Sequence, residues 1–475
     1  VTQRPTTVAI VGGGFTGAVF GLKLHLAKPA WRVVIIEPKR MLGRGIAYGA
    51  CGPQHMLNVP VSRMEVGLQP AFATWLRQHR ARIAEPLVES GLDIHTAFVP
   101  RDLFGAYIEE RIGEALNTRS VTGLTTLRGE AVRMLAHTKG VLLNDGREVP
   151  ADMVVLAMGN LAPRPPGIPD PWLYDTGFFI PDPWAGDAFA DVQPDEPLLL
   201  IGAGLTMVDV ALKLAGSGHR GPMLAVSRRG LLPQRHEAGG TWPEFLAQHT
   251  AASPLMLTRV MRQEVARATA HGIPWQRVFD AARPAVPGIW HNWTAASRRQ
   301  FLRHLRVRWD IHRHRMAPRV DDALRLLLKR GTLEVAGGRV AGYAPAEGMV
   351  DVTLRLRGGA SRIFRAGRVI NCTGPSAGFD RIAIPLIADL RERGLAVADA
   401  LDVGFQTRDC AVIDRFGRAS EWLFALGPLT RPNWWEITAV PEINLQIERL
   451  VTQLSHAAPV SPLTAADFMG IGEGI

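Results

Sequence analysis

At 475 residues, with 47% hydrophobic and 21% charged residues, the chain is long enough for two or three domains with sizeable cores and has an ordinary globular composition. The net charge of +10 comes from 54 basic against 44 acidic residues. The basic residues are spread widely and are mostly arginine, which argues against nucleic acid and for anionic cofactors or substrates. Cys51, Cys372 and Cys410 stand far apart with no Cys-x-x-Cys, which disfavours a disulfide scaffold and a dithiol relay and points to a reducing, cytoplasmic setting. No stretch has the roughly 18 uninterrupted apolar residues of a membrane span.

The first element is the β-branched run Thr7-Val8-Ala9-Ile10-Val11, which leads into Gly12-Gly13-Gly14-Phe15-Thr16-Gly17 and a small-residue helix. A second buried-strand run, Val33-Val34-Ile35-Ile36, closes on Glu37. Strand, glycine turn, helix, strand and acid in register predict a dinucleotide site. Gly12 permits the tight turn, Gly14 lets a diphosphate approach the backbone, Gly17 lets the helix pack on the strand, and Glu37 accepts from ribose hydroxyls. The Gly-rich stretch that follows holds Arg44, a candidate for a phosphate, and then His55 and Asn58. Those two are candidates to face a cofactor ring or substrate, and would equally serve to satisfy loop backbone groups. A helix is expected after Phe98-Val99-Pro100-Arg101, with Leu103, Phe104, Tyr107 and Ile108 on one face. Strand-like runs turn at Asp145-Gly146 and end on Val154-Val155-Leu156-Ala157-Met158-Gly159, after which a proline-rich stretch reads as a linker.

A second glycine unit begins at Leu198-Leu199-Leu200-Ile201-Gly202-Ala203-Gly204-Leu205-Thr206-Met207. Met207 occupies the third glycine place, and the next strand ends in Ser227-Arg228-Arg229 where an acid would stand. Arginine there suits a ribose 2′-phosphate and favours NADPH over NADH, against the plainer reading of a solvated arginine pair. Residues 239–320 turn helical and rich in Arg, Trp and His. His236 and the run His312-Arg313-His314-Arg315 are candidates to orient a substrate or hold an anionic group. Metal binding is disfavoured there, because the interspersed cations would repel a divalent ion. Strand-then-glycine patterns recur at Gly374 and Gly427.

Taken together, residues 12–17 with Glu37, 42–48, 57–60, 98–105, 202–209, 227–230 and 309–318 resemble the bacterial FAD-NAD(P)-binding proteins, flavoproteins with two dinucleotide domains. The resemblance implies an α/β fold of two Rossmann-like dinucleotide-binding domains, the first discontinuous and the second carrying a helical insertion. The implied layout is an FAD-binding domain over 1–165 and again over 366–475, a linker over 166–195, and an NAD(P)-binding domain over 196–365 with the insertion at about 239–320. FAD would lie on Gly12, Gly14, Phe15, Thr16, Gly17, Glu37, Arg44, Asn58 and Arg101, with Gly427 near its ribityl chain and with Gly159 and Gly374 at the crossovers. NADPH or NADH would lie on Gly202, Gly204, Thr206, Ser227, Arg228 and Arg229.

The chain is similar in outline to FAD-dependent monooxygenases, including urate hydroxylases. It has no Phe-x-Gly-x-x-x-His between the glycine motifs, which sets it apart from Baeyer–Villiger and N-hydroxylating members. The leading expectation is an NAD(P)H-dependent monooxygenase acting through a peroxyflavin or hydroperoxyflavin on a small anionic or urate-like substrate. His55, Asn58, His236, Arg313 and His314 are its candidate catalytic residues. The alternatives are a flavin reductase that inserts no oxygen and a non-enzymatic flavin-binding redox sensor. The partners expected are a small molecule and dioxygen, with no nucleic acid and no membrane, and a homo-oligomer is left open.

Overall fold

The apolar run Thr7–Val11 is a strand buried at all five positions, and it runs parallel to Arg32–Glu37 in a register from Val8 opposite Val33 to Val11 opposite Ile36. Continuous burial of this kind belongs to a parallel strand covered on both faces. The computed structural model describes residues 4–79, 93–117, 123–246, 251–376, 378–379 and 382–455.

Around the first strand a seven-stranded sheet is built in the spatial order Thr407–Arg408, Ala411–Ile413, Ala419–Ala425, Met153–Leu156, Thr7–Val11, Arg32–Glu37 and Leu124–Arg128. Both ends of the chain therefore contribute to one sheet. Ala419–Ala425 lies parallel to Met153–Leu156, and the two preceding short strands add to it antiparallel. A small antiparallel sheet, Ala131–Met134, Gly140–Leu143 and Glu148–Pro150, turns at Gly146 as its sequence predicts.

The second seven-stranded sheet runs Ser361–Ala366, Met349–Leu356, Leu333–Ala346, Met223–Ser227, Leu198–Ile201, Arg368–Asn371 and Phe179–Ile180. Its centre is parallel, again with fully buried strands at Leu198–Ile201 and Met223–Val226. The α/β architecture with two Rossmann-like units, the first assembled from both chain ends, is thus the observed one.

Two segments sit differently from their expected places. The stretch 166–195, expected as a linker, also supplies the edge strand Phe179–Ile180, with Leu173 and Phe179 buried in the second unit's core. Its prolines punctuate the chain without keeping it out of the core. Arg368–Asn371, expected in the returning part of the first domain, pairs in parallel with Leu198–Ile201.

Between the strands Met223–Ser227 and Leu333–Ala346 lies a run of short helices from Pro254–Ala270 to Pro318–Lys329. Several of them share a core of Trp290, Trp293, Phe301 and Trp309, and Trp435 from the returning chain is inserted into it. The ring of Trp435 stacks on Trp290 at 4.3 Å. The helical segment is thereby fastened to the first unit and roofs the space between the two sheets.

Candidate functional site

The site is built outward from the two glycine turns. Helix Phe15–Ala27 starts from Gly14 with no side-chain cap, which leaves its first N–H groups for an anion. A Cβ on Gly17 would lie 1.9 Å from the carbonyl oxygen of Gly12, so only glycine allows helix and turn to approach this closely. Glu37 stands at the tip of the second strand, accepting from the Gly13 N–H at 2.7 Å and the Lys39 N–H at 3.1 Å. Gly427 returns to the same place: a Cβ on it would lie 3.4 Å from the Thr16 hydroxyl oxygen, and its N–H donates to Gln446 at 2.7 Å. An uncapped helix end, a glycine cradle and an acid at the next strand tip together fit the adenosine diphosphate half of FAD.

The second turn repeats the plan with different chemistry. Helix Leu205–Gly216 also starts uncapped, from Gly204, and a Cβ on Gly202 would lie 2.2 Å from the Cys372 carbonyl oxygen. Met207, in the third glycine place, points its whole side chain into the core. At the next strand tip the Ser227 hydroxyl accepts from the Gly230 N–H at 3.1 Å, and Arg229 donates to the His304 carbonyl at 3.3 Å. Arg228 is exposed and has no partner among the described residues, so its charge is available to a phosphate.

Between the turns lie two cavities that share Leu205, Thr206, His314, Gly374, Pro375 and Thr438 in their walls. The first, about 250 Å³, is lined by Tyr48, Asn58 and Arg101 from the first unit, by Asn160 and Trp184, and by Arg313 from the helical segment. The second, about 290 Å³, runs from Gly202 and Gly204 to Arg306, Arg431 and Trp435. Each cavity thus takes walls from segments of both units and from the helical segment. A Cβ on Gly159 or Gly374 would meet open space at the two crossovers.

The expected residues divide in two. Asn58, Arg101, Thr206, Arg313, His314 and Gly374 line this cleft. Arg101 is also committed to structure: its guanidinium grips Asp209 at 2.8 and 3.2 Å and donates to the Met56 carbonyl at 3.0 Å. This pair braces the first unit against the helix of the second. Arg313 pairs with Glu436 at 2.8 Å, and Glu436 also accepts from Trp309. The ring of His314 faces both cavities with no hydrogen bond to a described residue, and burial lowers its pKa, so the ring is neutral near pH 7.

Three expected residues lie outside the lining of these cavities and have partners of their own. His55 does not reach the cleft. Its Nδ1 accepts from the Gly52 N–H at 2.8 Å, so its Nε2–H donates to the Asp209 carbonyl at 3.2 Å, and a buried ring satisfied on both sides is a structural one. His236 is likewise buried, donating to the Asn58 carbonyl at 2.9 Å, and ties the helical segment to the Asn58 loop. Arg44, expected at a phosphate, pairs with Glu109 at 2.6 Å. Sequence reasoning missed Trp184, which sits in the proline-rich stretch, and Arg306, Arg431 and Thr438, which no local pattern distinguishes from surface residues.

Among the described residues no group of three or more His, Cys, Asp or Glu could hold a metal ion, no helix is long and apolar enough to cross a membrane, and the three cysteines are unpaired.

Comparison with known proteins gives these features a context. The FAD-NAD(P)-binding family model matches residues 9–161, the span holding the first glycine turn and Glu37. An L-aspartate N-monooxygenase (nitrosuccinate-forming) from Streptomyces cremeus is 28% identical over 289 residues, an alignment that takes in 52% of this chain and only 42% of that protein's length. Among solved structures, the ornithine N-hydroxylase of Kutzneria sp. 744, determined with reduced FAD, NADP+ and L-ornithine, superposes with a TM-score of 0.65 at 15% identity, covering 95% of this chain and 99% of that one. The ornithine hydroxylase of Pseudomonas aeruginosa gives 0.63 at 14%, covering 95% and 98%. Residues 9–161 therefore carry an FAD-NAD(P)-binding domain, and the chain has the two-dinucleotide-domain fold of flavin-dependent N-monooxygenases.

Proposed function

We propose that the protein is an FAD-dependent, NADPH-using monooxygenase that hydroxylates the amino nitrogen of a small, carboxylate-bearing amine. The observation that carries the reading is the pair of cavities, one walled by the second glycine turn and the other by Ile46 and Tyr48 of the loop whose Gly45 packs against Gly14, that meet at Thr206, His314 and Gly374. Two dinucleotides seated on the two turns would bring their reactive ends together there. When bound, FAD supplies the chemistry by taking a hydride equivalent from the nicotinamide and passing electrons to dioxygen.

The chain's own part is to bind, orient and exclude water. The free ends of helices Phe15–Ala27 and Leu205–Gly216 would hold the two diphosphates, Glu37 would hold the adenosine ribose of FAD, and Arg228 would hold the 2′-phosphate that separates NADPH from NADH. The helix Arg306–Arg313 and Trp435 close the top of the cleft. The neutral ring of His314, in the wall that both cavities share, would accept a hydrogen bond from the substrate amine and hold it between them.

An amine substrate is favoured by the names of an L-aspartate N-monooxygenase and an ornithine N-hydroxylase among the similar proteins. A urate-like ring draws no support from them. The chain has the fold of the ornithine N-hydroxylase without Phe-x-Gly-x-x-x-His, so the fold does not depend on that motif.

The test is anaerobic stopped-flow mixing of the FAD-loaded protein with NADPH and, separately, NADH. The expected result is bleaching of the flavin, faster with NADPH. Failure of both nucleotides to bleach it would end this reading and favour a flavin-binding protein without turnover.

A further inference from the structure

Two arginines meet in the second cavity from distant parts of the chain. Arg431 follows the short 3-10 turn Gly427–Thr430 of the returning segment, and Arg306 opens the helix Arg306–Arg313. The turn before Arg306, Phe301–Leu305, is a π-helix. Such a widened turn changes the direction in which the next side chain points and recurs at functional sites. Both guanidinium carbons lie beside the same ring, 5.8 Å (Arg306) and 5.6 Å (Arg431) from the centre of Trp435.

The charge of Arg431 is not balanced by an acid of its own. Asp310, at 3.3 Å, is taken by Arg306, and Glu436 is taken by Arg313. Arg431 has no carboxylate within ion-pair distance among the described residues, and its Nε is buried without a hydrogen-bond partner. Burial and the neighbouring Arg306 pull its pKa down to about 10, a sign of the cost of holding this cation here. Stacking on Trp435 offsets part of that cost, but an aromatic face accepts no N–H in the guanidinium plane. A buried donor left open beside a second cation in a cavity calls for an anion.

We propose that Arg431 and Arg306 form an oxyanion-binding site that receives the negatively charged group of a bound small molecule in this cavity. The same chemistry serves two sources: the carboxylate of the substrate, or the diphosphate of the nicotinamide cofactor, whose glycine turn ends the same cavity. The site rests on the proposed function only for which of these ligands fills it.

Titration calorimetry of the FAD-loaded full chain with succinate, inorganic diphosphate and NADP+ tests it. Arg431→Gln and Arg306→Gln are each expected to weaken at least one of these by about tenfold, while Arg431→Lys retains part of the affinity. Loss confined to succinate assigns the site to the substrate carboxylate; loss of diphosphate and NADP+ together assigns it to the cofactor. Arg431-dependent succinate binding by a protein that fails to bind NADP+ keeps the oxyanion site and removes the nicotinamide reading. FAD content and near-ultraviolet circular dichroism establish that each variant is folded. Unchanged affinities for all three probes in folded variants, or no binding of any probe by the unaltered protein, overturn the proposal.

Discussion

The two glycine turns of this protein share one plan and solve it under different constraints. In the first, the helix comes so close to the strand that even one carbon on Gly17 would collide with the backbone of Gly12, 1.9 Å away. In the second, the equivalent place holds Met207, whose side chain is buried to 0% exposure and packs the helix on the sheet. The strand tips differ too: Glu37 folds back on its own turn, whereas Arg228 projects into solvent. Close helix approach is therefore one way to join such a turn to its helix and not a requirement. What separates the two turns is the charge at the strand tip, negative at Glu37 and positive at Arg228; under the proposed function the first suits ribose hydroxyls and the second a phosphate.

The sharpest way to break the comparison is at the helix contact. Gly17→Ala should destabilise the chain by about 3 kcal/mol or more, because backbone must move to admit the carbon, and should abolish FAD retention; urea unfolding and flavin absorbance of the purified variant measure both. Gly204→Ala, whose added carbon meets open space, should leave unfolding nearly unchanged. Next comes the brace between the units. Asp209→Ala strands the Arg101 guanidinium in a nearly buried place and should cost about 3 kcal/mol, read from the shift in the urea midpoint.

A smaller effect sharpens the difference at the strand tips. Arg228→Ala should raise the dissociation constant of NADP+ about tenfold and leave that of NAD+ unchanged; equal changes in both would remove the 2′-phosphate assignment. The smallest effect lies in the pH dependence of stability. Burial draws the pKa of His236 from 6.5 down to about 3. Between those values the unfolded chain binds the proton and the folded one does not, so this contribution is complete above pH 6.5 and is lost as pH falls towards 3. His236→Gln should flatten the fall of the urea midpoint from pH 6.5 to pH 4; a slope identical to that of the unaltered protein would contradict the buried, neutral assignment.

The first glycine turn was legible because its parts are local. Strand, turn, helix and acid lie within about thirty residues, and each residue type answers a constraint set by its neighbours. The second was legible for the same reason as a strand, turn, helix and strand. The histidines were not. His236 finds its partner in the carbonyl of Asn58, 178 residues away, and His55 finds Asp209 across the gap between the units, so neither role is written in the surrounding sequence. Arg313 and Arg315 looked like a cationic cluster until Glu436 and Asp280 arrived from elsewhere to pair them. Arg431 shows the reverse: a lone arginine in sequence becomes, on folding, a buried cation with no ion pair among the described residues. The proline-rich stretch before the second unit hid Trp184 because prolines announce a change of direction and say nothing about which side chains then face a cavity.

The measurement that bears most directly on the central claim is turnover of the FAD-loaded protein with NADPH under ¹⁸O-labelled dioxygen, offered L-aspartate and a panel of other small amino acids, with products read by mass spectrometry. The account predicts that at least one amine acquires a single labelled oxygen on nitrogen, in step with NADPH consumed. NADPH oxidised to give only hydrogen peroxide across the whole panel, with no labelled product, would contradict it and leave a flavin reductase.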